Sequence, residues 1–204
     1  MKKYSCLIII LLLSYSSFSQ NNTHKKNNYF NLSEIGFSYG SGNKEYQISP
    51  NQFVSSINTA TVFSIRNING FYVNPHIAFG IGLGYEGISI KEGNTTIIDN
   101  KGLEKTVITP FKFYNTLPLF ADLRYYFSKL RNSWFLYGDI GSSIAIASNF
   151  KKGLYWGTGV GYKFLVTEFN ALNVNLGFNE QYITNSDTNI ERIPRLGLRI
   201  GLMF

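Results

Sequence analysis

Nine charged residues fall at alternate positions of otherwise apolar segments: Glu34, Arg66, Glu86, Asp122, Arg124, Asp139, Lys163, Arg195 and Arg199. Gathered on one face, they could line a conduit for ions, or they could pair with one another and fill a closed interior. Four acids against five bases leave little net field for selecting an ion, so pairing is the expected arrangement. Asp122 and Arg124 stand two apart on one strand and therefore share a face, which makes them expected members of such a network.

Other residues with chemical reach are sparse. His24 lies in a polar N-terminal stretch and His76 near a turn. The two histidines are expected to lie far apart, so they offer no joint metal site. Cys6 precedes the apolar run of a leader and would be lost with it, which leaves no thiolate for metal or redox chemistry. Gly82-x-Gly84-x-x-Gly87 matches the letters of the dinucleotide fingerprint. That motif works where a strand enters a helix whose N-terminus holds pyrophosphate. Here the glycines continue an alternating strand that starts at Gly80, and Ile88-Ser89-Ile90 follows. No catalytic, cofactor-binding or metal-ligating residue is assigned, and the chain is not expected to be an enzyme.

The start of the chain gives the route. Lys2 and Lys3, the apolar run from Leu7 to Leu13, and Ser17-Phe18-Ser19 before Gln20 have the form of a cleavable signal peptide over residues 1–19. The run is too short for a spanning helix, which needs about 20 apolar residues. Loss of Lys2 and Lys3 lowers the formal charge of +7 by two. The remaining basic residues are scattered, with only isolated pairs at Lys25-Lys26 and Lys151-Lys152, so nucleic acid is not an expected partner. Residues 20–32 form a polar lead-in, and residues 33–204 a single domain.

The period along that domain is two. Ile77, Phe79, Ile81, Leu83 and Tyr85 share one face, opposite Ala78, Gly80, Gly82, Gly84 and Glu86. Leu117 to Phe127, Leu154 to Phe164 and Leu196 to Phe204 repeat the pattern. Weaker versions run through Ile35-Phe37-Tyr39, Thr61-Phe63-Ile65, Trp134-Leu136-Ile140 and Leu172-Val174-Leu176-Phe178. The second face is rich in Gly and carries the charges, whereas the apolar face of these stretches carries none. Charge on a lipid-exposed face costs roughly 2–4 kcal/mol at the midplane. The chain therefore reads as all-β, a transmembrane antiparallel up-and-down β-barrel of about eight strands, apolar outside and polar within.

Short turns are expected near residues 67–75, 128–133 and 166–170, and longer polar loops at 42–58 and 91–110. Tyr39, Tyr85, Phe113, Trp156 and Phe178 then form an outer aromatic girdle. Tyr125, Phe127, Trp134, Phe164 and Phe204 form an inner one.

The stretches from Gly70 to Tyr85 (GFYVNPHIAFGIGLGY) and from Leu117 to Phe127 (LPLFADLRYYF) resemble the small porin-like outer-membrane β-barrel family of Gram-negative bacteria, akin to OmpX and OmpA barrels. The resemblance spans nearly the whole chain after the leader. It implies an outer-membrane location, contact with membrane lipid and lipopolysaccharide, and recognition by the barrel-assembly machinery through the terminal aromatic Phe204. A monomer is expected, because no association seam stands out along the strands. The function expected is non-enzymatic, a scaffold or a surface-loop binding or adhesion protein. The alternatives are a narrow pore for small solutes and a lipid A-modifying enzyme.

Overall fold

The structure, a computed structural model, describes residues 28–49, 52–91, 93–98, 104–109, 111–129, 132–146, 153–167, 170–184 and 190–204. The leader, Cys6, His24 and both lysine pairs lie outside the described residues. Ten strands are described: β1 (Tyr29–Ser49), β2 (Gln52–Tyr72), β3 (Ile77–Ile90), β4 (Gly93–Ile98), β5 (Glu104–Thr109), β6 (Lys112–Tyr126), β7 (Ser133–Ala145), β8 (Gly153–Leu165), β9 (Ala171–Thr184) and β10 (Ile190–Met203). Eight of them close an antiparallel barrel in the order β1-β10-β9-β8-β7-β6-β3-β2, and β4 pairs only with β5 as a separate hairpin.

The tilt follows from the register. One row of partners runs from Phe30 through Gly70, Gly80, Asp122, Asp139, Gly157, Asn179 and Arg195. It returns to β1 at Gly40, ten residues beyond its start. With a rise of about 3.3 Å per residue and about 4.8 Å between strands, that offset tilts the strands by about 40° and sets a backbone radius of about 8 Å. A barrel this narrow is filled by its own side chains.

Alternation decides which side chains those are. Ile35, Phe37, Ile81, Leu123, Ile140, Leu176 and Leu198 stand exposed on the outer wall, while Glu34, Phe120, Asp122, Arg124, Tyr155 and Arg199 between them are buried. An apolar belt around a polar interior is the inverse of a water-soluble barrel, and lipid is the solvent that such a belt requires. Two prolines mark interruptions in the ladder. Pro118 stays paired to Ser143 and Pro194 to Glu180, but the β3–β6 and β1–β10 registers skip the positions on their other sides. A residue without an N–H cannot complete both neighbours' ladders.

Several expected boundaries need correction. Residues 42–49 and 52–58 are strand and not loop. β1 and β2 stay paired from Tyr29↔Phe71 to Ser49↔Gln52, because a ladder needs only backbone partners and persists where the side chains turn polar. Residues 91–110 include the β4–β5 hairpin. The lead-in ends sooner than residue 32, since β1 begins at Tyr29, and the turn expected at 67–75 narrows to 73–76 because β2 continues to Tyr72. Finally, the outer wall is not free of charge. β9 and β10 extend beyond the alternating stretches of the sequence, and Glu180 and Arg192 face outward there as an ion pair.

Candidate functional site: the filled lumen and the ribbon above it

Inward parity brings eight of the nine predicted charges into ion pairs. Arg124 Nε donates to Asp122 Oδ1 at 2.9 Å, and its NH2 reaches Glu34 Oε1 at 3.3 Å. Glu34 Oε2 lies 3.4 Å from Arg66 Nε, and Arg66 NH1 donates to Asp139 Oδ2 at 2.7 Å. Arg199 NH1 stands 3.6 Å from the same Asp139 oxygen and donates to the Tyr137 hydroxyl at 3.1 Å. This central cluster holds three carboxylates and three guanidiniums, so it leaves no net charge of its own. Arg66 also lies 4.2 Å over the Phe120 ring, which covers the guanidinium face that no carboxylate reaches.

A second polar layer sits nearer the ribbon end. Arg195 NH2 donates to both oxygens of Glu86 at 2.7 Å, and its NH1 donates to Gln181 Oε1 at 3.1 Å. Gln181 Nε2 passes the chain on to Ser143 Oγ at 2.7 Å and Thr116 Oγ1 at 3.3 Å. Lys163, the ninth predicted charge, stands apart from these clusters. Its ammonium lies 4.6 Å from the Tyr126 ring centre and 5.6 Å from that of Tyr72, toward the short-turn end.

Apolar layers close the lumen beyond the ions on both sides. Toward the ribbon, Ala60, Val62, Ile88, Ile90, Tyr114 and Ile193 pack together. Toward the short turns, Phe30, Leu32, Ile68, Tyr126, Phe135 and Met203 belong to a second cluster. Glycines make room for the rings: a Cβ at Gly82 would overlap Phe120, one at Gly161 would overlap Phe135, and one at Gly177 would overlap Tyr137. The alternation shows which residues face inward, but it does not show which glycine receives which ring. That depends on the ten-residue offset around the barrel.

His76 lies in the turn after β2. Its Nδ1 is 2.7 Å from the Tyr126 carbonyl oxygen, and its ring stacks on Tyr125 at 6.1 Å. Nothing in that contact presents a nucleophile or an acid to it. Phe204 closes the barrel, exchanging backbone hydrogen bonds with Asn31 at 3.0 and 2.8 Å.

Above the barrel the wall continues as a two-stranded ribbon. β1 last pairs with β10 at Lys44↔Glu191, and β2 last pairs with β3 at Ala60↔Ile90. The Thr59 carbonyl still accepts from the Lys91 N–H at 2.9 Å, and beyond it the β1–β2 ladder continues through Ser49↔Gln52. The β4–β5 hairpin rises beside them, with Gly93 against the Asn58 side chain. A closed wall, an apolar belt and a filled lumen are now all in place. The chain is a small transmembrane β-barrel.

No protein-family model matches the sequence, and no curated protein sequence matches it. Solved structures similar to it include Neisserial surface protein A, at 12% identity over 86% of this chain and 96% of that one, with a TM-score of 0.47. The outer membrane protease OmpT from Escherichia coli matches at 8% identity over 91% and 99% of the two chains, also at 0.47. Ail, the attachment invasion locus protein of Yersinia pestis, matches at 10% identity over 85% and 99%, with a TM-score of 0.33.

Proposed function

We propose that this chain is a non-enzymatic outer-membrane protein whose plugged barrel holds a rigid surface ribbon for binding or adhesion. The observation that carries this reading is the β1–β2 ladder, which runs on past the last rungs of its neighbours with one register shift, between Gln47 and Ser49. A loop that only joined two strands would have no need of so long a ladder, whereas a contact surface gains from being held still. The leader-like N-terminus and the aromatic final strand support export to the outer membrane, with the short turns inside and the ribbon outside. The narrow-pore alternative is disfavoured by the two apolar layers across the lumen, and among the described residues no nucleophile–base pair supports the enzymatic one.

The test compares cells producing the full protein with cells producing a trimmed form. In the trimmed form, residues 46–54 are replaced by Asn-Gly, a sequence suited to a two-residue hairpin turn. The trimmed barrel should still reach the outer membrane and still change gel mobility on boiling, while adhesion to cell and glycan surfaces falls to the level of cells lacking the protein. Unchanged adhesion, together with stepwise current in a planar bilayer, would overturn the reading in favour of the pore.

A further inference from the structure

On the outer wall near the short-turn end, β1 and β2 interrupt the apolar belt with side chains that carry amides and a hydroxyl. Asn31 donates from Nδ2 to Asn67 Oδ1 at 3.2 Å and to Asn69 Oδ1 at 2.7 Å. Asn67 Nδ2 donates to Asn31 Oδ1 at 3.1 Å and to Ser33 Oγ at 2.9 Å, and Asn69 Nδ2 donates to Asn67 Oδ1 at 2.8 Å. The register places this patch within the belt and not at its rim. Ser33 pairs with Leu202 on one side and with Asn67 on the other, and Asn67 in turn pairs with Leu83. Asn69 pairs with Ile81, which is 60% exposed.

We infer that this face is the interface of a homodimer within the membrane, with the two-fold axis along the membrane normal through the amide patch. Lipid tails offer no hydrogen-bond partner, and small polar side chains facing lipid favour association with another protein surface. The bonds within the patch use both Nδ2 donors of Asn31 and both of Asn67. The second N–H of Asn69 and the hydroxyl proton of Ser33 take no part in these bonds. An amide is donor and acceptor at once, so the patch is complementary to a copy of itself, as an isologous contact requires.

The shapes on either side agree with the same axis. Toward β10 the wall is hollowed into a groove of about 540 Å³ whose lining includes Ser33, Ile35, Ile200 and Leu202. Toward β3 it rises as a ridge of Phe71, Phe79 and Ile81, with the two rings packed 6.0 Å apart. A two-fold axis between groove and ridge sets the ridge of each copy against the groove of the other. The tilt sets the two features at matching depth: a row climbs about 3 Å per strand from β10 to β3, which leaves Leu202 about level with Phe79 and Ile200 with Ile81.

Cysteine cross-linking in lipid vesicles tests this directly, using the full chain in a Cys6→Ser background. Asn69→Cys should oxidise to a covalent dimer several-fold more readily than Val160→Cys, which is exposed on the opposite wall. Adding Ser33→Trp, which fills the groove, should abolish the cross-link while the unboiled protein still migrates as a closed barrel. Cross-linking at Asn69 no greater than at Val160 would overturn the inference. So would a cross-link that persists in a folded Ser33→Trp protein. If Ser33→Trp prevents folding, Ile81→Cys with Leu202→Cys serves instead. Two strands, β1 and β2, lie between these positions within one chain, which is too far for a disulfide, so a bond between them must join two copies.

Discussion

Asp122 and Asp139 face each other across the β6–β7 ladder, and different arginines hold them: Arg124 binds the first, while Arg66 and Arg199 approach the second. Two carboxylates on one rung repel unless each is matched, so Arg124 on β6 itself, with Arg66 from β2 and Arg199 from β10, fixes the register of β6 against β7. The two sides of this arrangement are not equivalent. Arg66 bridges Glu34 and Asp139, whereas Asp122 has Arg124 as its partner, and Arg124 also holds Glu34.

Arg66→Ala should therefore be the more damaging change. It leaves Glu34 with Arg124 and Asp139 with the more distant Arg199 as their remaining cations, and it uncovers the Phe120 ring; breaking a buried pair costs about 3–5 kcal/mol. Asp122→Asn leaves Arg124 its bond to Glu34 and relieves the facing Asp139, so its cost should be nearer 1–2 kcal/mol. Urea unfolding of both variants in detergent checks the order, and equal midpoints would contradict it.

Steady conduction is not expected from the intact protein in a planar bilayer. Trimming the ribbon-end layer alone, with Ile88→Ala and Ile193→Ala together, should leave the current at baseline, because Phe30, Tyr126 and Phe135 still close the other end. A defined current step from the double variant would mean that the ionic layers pass solutes and that one apolar layer is the gate.

The glycines separate into those that carry a ring and those that do not. Gly82→Ala sets a methyl into Phe120 and should destabilise by about 1–3 kcal/mol, with partial rescue by Phe120→Leu. At Gly138 an added Cβ meets nothing within 4 Å, and that position faces outward. Gly138→Ala should be neutral or raise stability by about 0.5–1 kcal/mol, since Gly is poor in strands. Thermal loss of the folded gel band would rank the two.

Much of this barrel is legible in the sequence because a narrow wall between lipid and a polar core forces strict alternation. The inward Glu34, Arg66, Asp122 and Arg199 and the outward Ile81, Leu123 and Ile200 all follow from parity alone. The partners do not. Glu34 meets Arg124 from 90 positions away only because the row climbs ten residues in one circuit. The ribbon is hidden for a different reason: beyond Gly42 the ladder no longer separates lipid from lumen, so nothing compels the side chains to alternate. The amide patch is hidden because Asn31, Asn67 and Asn69 carry turn and tail chemistry in isolation, and they become lipid-facing neighbours only once β1 and β2 are paired. Gln181 goes unread because β9 runs past the last clear alternation at Phe178.

Glu180 and Arg192 supply the last prediction. They lie on the outer wall toward the ribbon end, joined by a charge-assisted hydrogen bond from Arg192 Nε to Glu180 Oε1. The carboxylate side chain is only 2% exposed and the guanidinium side chain 54%, and Arg192 also sits 6.0 Å from the Tyr182 ring centre. The acid is thus covered while the base reaches away from the apolar belt, the arrangement expected of a long cationic side chain near a membrane interface. Arg192→Leu leaves Glu180 covered and without its partner, so it should destabilise the barrel by about 1–3 kcal/mol. Glu180→Leu frees an exposed arginine that water and lipid phosphate can satisfy, and should cost less. The double leucine variant should recover most of the loss, because no charge is then left without a partner. Unfolding free energies of the four proteins in one lipid give the coupling. Additive losses would mean that the pair contributes nothing as a pair, and that the wall at this height is wet enough to solvate each charge alone.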